Sequence, residues 1–126
     1  MAIAKIDWPN SYYDALDLFR DNAGISQTNK PVKIGHNTDI VLLISGEIIA
    51  RYHGNAIVSY SPGEYAVNNA GWNTVTTSGR LNAALNALFP NKFSVNIRNG
   101  SMFLTLRDLN NHRIEFPYND WLKIPA

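Results

Sequence analysis

The chain has 126 residues, 45% of them hydrophobic and 17% charged, with no cysteine and a formal net charge of +1. That length suits one domain with a modest core, and the lack of cysteine excludes a disulfide scaffold, a thiol nucleophile and any thiolate-held metal. No apolar run approaches the roughly 18–20 residues of a membrane span, and the start MAIAKIDWPN is too polar for a signal peptide, so a soluble cytoplasmic protein without membrane partners is expected.

Tyr12, Leu16 and Phe19, with Ala15, form a helical stripe. Asn10 or Ser11 can cap it, and Asp14 sits in the first turn, where the helix dipole favours an anion. Gly24 and residues 26–30 end that element, and Pro31 closes a linker. The continuous apolar run 40–44 predicts a strand covered on both faces, with a turn at 45–47 and a partner strand over 48–52. Residues 56–60 and 65–67 are further strands around the turn Ser61-Pro62-Gly63, and 68–71 is a loop. Leu81, Ala84, Leu85 and Leu88 place a second helix with Asn82 and Asn86 facing away; Pro90 stops it.

The turn Asn99-Gly100 pairs Ile97 with Met102, Val95 with Leu104 and Phe93 with Leu106, all apolar and on one face. The other face then carries Ser94, Asn96, Arg98, Phe103 and Thr105, with Lys92 near Arg107. A three-residue turn at 109–111 would set Leu106 against Ile114 and Leu104 against Phe116, and Tyr118 and Trp121 would fold the tail back onto the sheet. The expected architecture is α+β: an antiparallel sheet of about six to seven strands with an N-terminal and a central helix packed on it. It forms one domain, 1–126, with 1–30 as helix plus linker and 31–126 as the sheet core.

Charge and amide content limit the choice of partners. Asn occurs 16 times against 10 Asp plus Glu, and residues 48–126 hold seven basic and four acidic residues. That balance is too weak for a dedicated duplex DNA binder. Segment 71–82, GWNTVTTSGRLN, brings Trp72, hydroxyls and an arginine to a helix start. A phosphate or carboxylate could sit there against Thr76, Thr77, Ser78 and Arg80. The plainer alternative makes Thr76 or Thr77 an ordinary N-cap, Trp72 a core anchor and Arg80 a solvated charge. Segment 51–55 is a second candidate: Arg51 for a phosphate, Tyr52 for stacking, His53 beside them and Gly54 for close approach. Its alternative is a simple turn. Single-stranded nucleic acid could instead use Arg98, Phe103 and Arg107 on the hairpin face. The three histidines lack metal-ligand spacing, the carboxylates are scattered and no nucleophile elbow appears. No metal, cofactor or catalytic function is expected.

Residues 52–58, YHGNAIV, and 71–82, with the pattern GW-x-TVTT-x-x-R-[LI]-N, resemble a group of small bacteriophage-encoded proteins of unassigned function. The likeness covers about residues 36–118. Asn73 stands where an Arg is frequent in that group. Gly79 stands where an acid is frequent, and an acid three residues after Thr76 would complete a capping box worth about 1 kcal/mol. The resemblance implies a phage or prophage origin. Together with the absence of catalytic signals it suggests a non-enzymatic accessory protein of the host cytoplasm. It would bind a host protein complex or a nucleotide, with anti-CRISPR action or signal-nucleotide sequestration as the concrete form. Single-stranded nucleic-acid binding and a virion or assembly role are the alternatives, and homo-oligomerisation is open.

Overall fold

The computed structural model describes residues 6–23 and 30–124. Helix α1 (Tyr12–Ala23) starts where its capping chemistry lies. The Ser11 hydroxyl accepts from the Asp14 amide at 3.0 Å, and the Asp14 carboxylate accepts from the Asn10 amide at 2.9 Å. Two otherwise orphaned donors are thereby satisfied. Tyr12, Ala15 and Phe19 are buried on the inner face. Tyr12 also anchors the helix through its ends: its hydroxyl donates to Gly46 O at 2.7 Å and its amide to the Tyr65 hydroxyl at 3.0 Å. The expected stop at 24–29 lies outside the described residues.

Among the described residues, nine antiparallel strands and two α-helices make an α+β fold, and the strands divide between two sheets. The first has the order β1 (Val32–Gly35), β2 (Thr38–Leu42), β3 (Ile48–Tyr52), β4 (Asn55–Ser61), β5 (Glu64–Val67) and β9 (Leu122–Lys123). The second joins β6 (Phe93–Arg98), β7 (Ser101–Leu106) and β8 (His112–Glu115). Helix α2 (Val75–Leu88) lies along β6 and also touches β4. Its Leu81, Ala84 and Leu85 share one core with Ile48, Val58 and Tyr60 of the first sheet and Val95, Met102 and Leu104 of the second.

Several sequence expectations shift. Strand β2 begins at Thr38 and stops at Leu42, since Leu43 N already bonds Glu47 O and Gly46 N bonds Leu43 O. Ile44 is therefore a turn residue, 86% exposed, and no covered strand residue. Asn82 does not face away from the fold. Its side chain donates to Val95 O at 2.8 Å and accepts from Val95 N at 2.7 Å, and so behaves like a neighbouring strand on the β6 edge.

The Asn99-Gly100 hairpin has the expected register, residue for residue. The next one is offset by two: Leu106 faces His112 and Leu104 faces Ile114. A 3-10 turn over Arg107–Leu109, followed by left-handed Asn110 and Asn111, takes up the extra residues. An even offset leaves every side chain on its own face, so alternation could not reveal it. The tail does return, but through buried Phe116 and Ile124 and the pairing of β9 with β5. Tyr118 is 84% exposed and Trp121 is also exposed.

Candidate functional site

The chain is forced into a tight turn between β3 and β4. His53 (φ 51°) and Gly54 (φ 78°) are its two central residues, as a type I′ hairpin requires. Just beyond, the register breaks between Ala50 and Arg51, where Ile57 is the extra residue of a bulge. Tyr52 and His53 pack ring against ring, centroids 4.3 Å apart.

Facing this turn is the loop 68–73, built by asparagine side chains. Buried Asn68 and Asn69 accept from the amides of Ala70 (2.8 Å) and Gly71 (2.9 Å), an Asx arrangement that suits the positive φ of both. Asn69 Nδ2 donates to Asn73 Oδ1, and Asn73 Nδ2 donates to Gly100 O at 2.9 Å. Asn73, standing where the related pattern has Arg, thus ties the loop to the tip of the β6–β7 hairpin. Trp72, held by its amide on Asn69 O, is 58% exposed and is no core anchor.

Between turn and loop lies a pocket of about 430 Å³. Tyr52, His53 and Trp72 supply aromatic surface, Asn55 an amide, and Thr74 and Thr76 hydroxyls. Among the described residues, no Asp, Glu, Lys or Arg lines it. The two segments singled out in the sequence therefore meet at one place.

Not all of their members do. Arg51 points to the opposite sheet face and pairs with Asp39 at 2.7 and 2.9 Å, which raises its pKa chiefly through that hydrogen bond. The Ser78 hydroxyl is spent on Val75 O at 2.9 Å. Arg80 lies behind the pocket, its guanidinium carbon 4.1 Å from the centre of the Tyr52 ring. Its Nε is buried without a partner among the described residues.

The N-cap of α2 is Thr74, not Thr76 or Thr77: the Thr74 hydroxyl accepts from Thr77 N at 3.2 Å. The capping-box position is accordingly Thr77 itself, and an acid at 79 would not complete the box. Buried Thr77 shares its hydroxyl with Thr74, while Thr76 stays exposed at the pocket. The amides of Val75 and Thr76 keep no acceptor among the described residues and point out of the helix start.

The hairpin candidates lie elsewhere. Arg98 and Arg107 are exposed at opposite ends of the β6–β7 ladder. Phe103 is half-buried between Asn96 and Glu115, on the face that α2 leaves uncovered. An acid beside the ring interrupts any cationic strip. Among the described residues no group of three or more His, Asp or Glu is placed to hold a metal, and no helix is long and apolar enough to cross a membrane.

The family model described as Kyanoviridae Gp96 protein matches residues 20–123. The chain belongs to this phage-encoded family. The match spans every pocket residue and starts inside α1. No curated protein and no solved structure matches the chain. Tyr52, His53, Trp72, Thr76 and Thr77 of this pocket stand out in the sequence. Thr74 and Asn55 do not stand out there, and the tandem Asn68-Asn69 ahead of Ala-Gly is the sequence signal for the loop scaffold.

Proposed function

We propose that this phage protein works by binding and carries out no chemical step. Its ligand is a nucleotide, held in the pocket between Tyr52, His53 and Trp72. The observation that carries this reading is the pocket's make-up: aromatic walls, hydroxyl and amide groups, and no fixed charge among the described residues. Such a lining suits a planar, uncharged heterocycle, since stacking contributes about 1–3 kcal/mol per base and depends little on which base is present. The phosphate end lies toward the Thr76 hydroxyl and the open Val75 and Thr76 amides, where the helix dipole favours an anion. Sequestering a nucleotide signal of a host defence system, in the host cytoplasm, is a role that such binding without turnover would serve.

Thermal unfolding with adenosine, AMP and cyclic mono- and dinucleotides tests this. A ligand at 100 times its Kd stabilises the native state by about 2.7 kcal/mol. Trp72→Ala should weaken binding at least about tenfold, while Arg51→Ala on the opposite face should leave it unchanged. Nucleosides that bind as well as nucleotides would remove the phosphate subsite. Absence of any shift with the whole panel, or binding indifferent to Trp72→Ala, would overturn the reading.

A further inference from the structure

Among the described residues, the β8 edge of the second sheet is unpaired. On the β6 side, Asn82 occupies the outward main-chain groups of Val95. On the other side, β8 ends the sheet with His112, Arg113 and Glu115 exposed. Neither Arg113 nor Glu115 has an ion-pair partner among the described residues. We propose that β8 pairs antiparallel with β8 of a second copy of this chain, in a register centred on Ile114.

The direction of the main-chain groups comes first. Hydrogen-bonded and non-bonded pairs alternate along an antiparallel ladder. Phe116 N bonds Met102 O at 2.9 Å, so two residues back Ile114 also bonds toward β7, and the peptide groups of Arg113 and Glu115 turn outward. The opposite edge agrees. Val95 faces Leu104, yet its N–H and C=O go to Asn82, which leaves the groups of Leu104 to Ile114.

Register follows from charge. In a β8–β8 ladder, outward-turned residues must face outward-turned residues. Arg113 can face Arg113 of the second copy, Glu115 can face Glu115, or Arg113 can face Glu115. The first two set like charges directly opposite, which destabilises a sheet. The third sets opposite charges together twice, once on each side of an Ile114–Ile114 pair on the two-fold axis. Like the other two it is an even register, so the core face of one copy continues into the core face of the other. The product is a six-stranded sheet with four new main-chain hydrogen bonds and two ion pairs. Because each copy offers this edge once, assembly closes at a dimer. Left-handed Asn111 and Pro117 bound the ladder to about four residues, so the dimer is weak and depends on concentration.

Sedimentation equilibrium on the full chain, up to roughly millimolar protein, tests the proposal. Glu115→Arg and Arg113→Glu should each raise the dimer Kd at least tenfold, and the combined swap should return it to within about threefold of the natural chain. Circular dichroism checks that the variants fold, as both positions are exposed. Amide exchange gives a second readout: Arg113 and Glu115 should gain protection with concentration while Ile114 does not change. A monomer throughout the range, a dimer indifferent to single reversals, or a swap that fails to recover would each overturn it.

Discussion

Replacing Asn82 by Ala removes both bonds that hold α2 to β6. The donor and acceptor left behind belong to Val95, a residue only 3% exposed, so water cannot readily replace the lost amide. A net hydrogen bond contributes about 1 kcal/mol, and a buried group left unpaired costs about 1–3 kcal/mol. Two such groups, with partial relaxation, put the loss at about 2–4 kcal/mol. That is a large share of the roughly 5–15 kcal/mol that stabilises an ordinary domain. Urea unfolding should show a midpoint lowered by about 1–2 M with an unchanged slope. Asn86→Ala is the control: this exposed side chain accepts one bond, from Asn91 N at 3.1 Å, and should cost about 0.5 kcal/mol. If Asn82→Ala costs no more than Asn86→Ala, the side chain is not acting as a surrogate strand.

Three further substitutions test packing and burial. A Cβ on Gly35 would lie 2.5 Å from Ile6 Cγ1 and 3.1 Å from its Cα, so Gly35→Ala should cost about 1–3 kcal/mol in urea unfolding. Gly79, inside α2 with nothing within 4 Å, should gain about 0.5–1 kcal/mol as Ala in the same assay. Tyr60→Phe removes a fully buried hydroxyl that has no partner among the described residues, and should be neutral or stabilising by about 1 kcal/mol. The same substitution changes the alkaline limb. Burial above all, then Tyr65 and Asp14, pushes the Tyr60 phenol far above its ordinary value near 10. The folded state therefore keeps a proton that the unfolded state releases above about pH 10, and stability falls as pH rises. Tyr60→Phe should flatten that fall between pH 8 and 11; equal losses in both proteins would refute the assignment.

Much of the chain could be read before folding, where local chemistry left one answer. The Asn99-Gly100 register is of that kind, whereas the α1 cap was open between Asn10 and Ser11 and falls to Ser11. Other features had several local solutions. Thr74, Thr76, Thr77 and Ser78 are all competent caps by residue type, and it is Thr74 whose extended backbone and hydroxyl on Thr77 N make the cap. The β7–β8 offset was hidden because its even value preserves alternation. At the site, Arg51 and Tyr52 are adjacent, so one must face away from the pocket, but which one depends on the side of the sheet that the core occupies. That the 51–55 and 71–82 segments share one pocket is purely tertiary. Asparagine is legible at the Asn99-Gly100 and 109–111 turns and otherwise only as a surplus; Asn37, Asn91 and Asn119 hold left-handed backbone just as Asn99, Asn110 and Asn111 do.

β5 and β9 are neighbours in the first sheet, yet α2 and the entire second sheet lie between them in the chain. The intervening unit thus leaves and re-enters the sheet about one strand spacing apart, ~4.8 Å. It is bounded as an insertion is, with Val67 and Leu122 paired across its base. The pocket straddles that boundary: Tyr52, His53 and Asn55 belong to the host sheet, whereas Trp72, Thr74 and Thr76 begin with the inserted unit. Exchange of the unit would replace one wall of the pocket proposed to take a nucleotide and keep the other, so the preference of that proposed site would change without rebuilding the sheet.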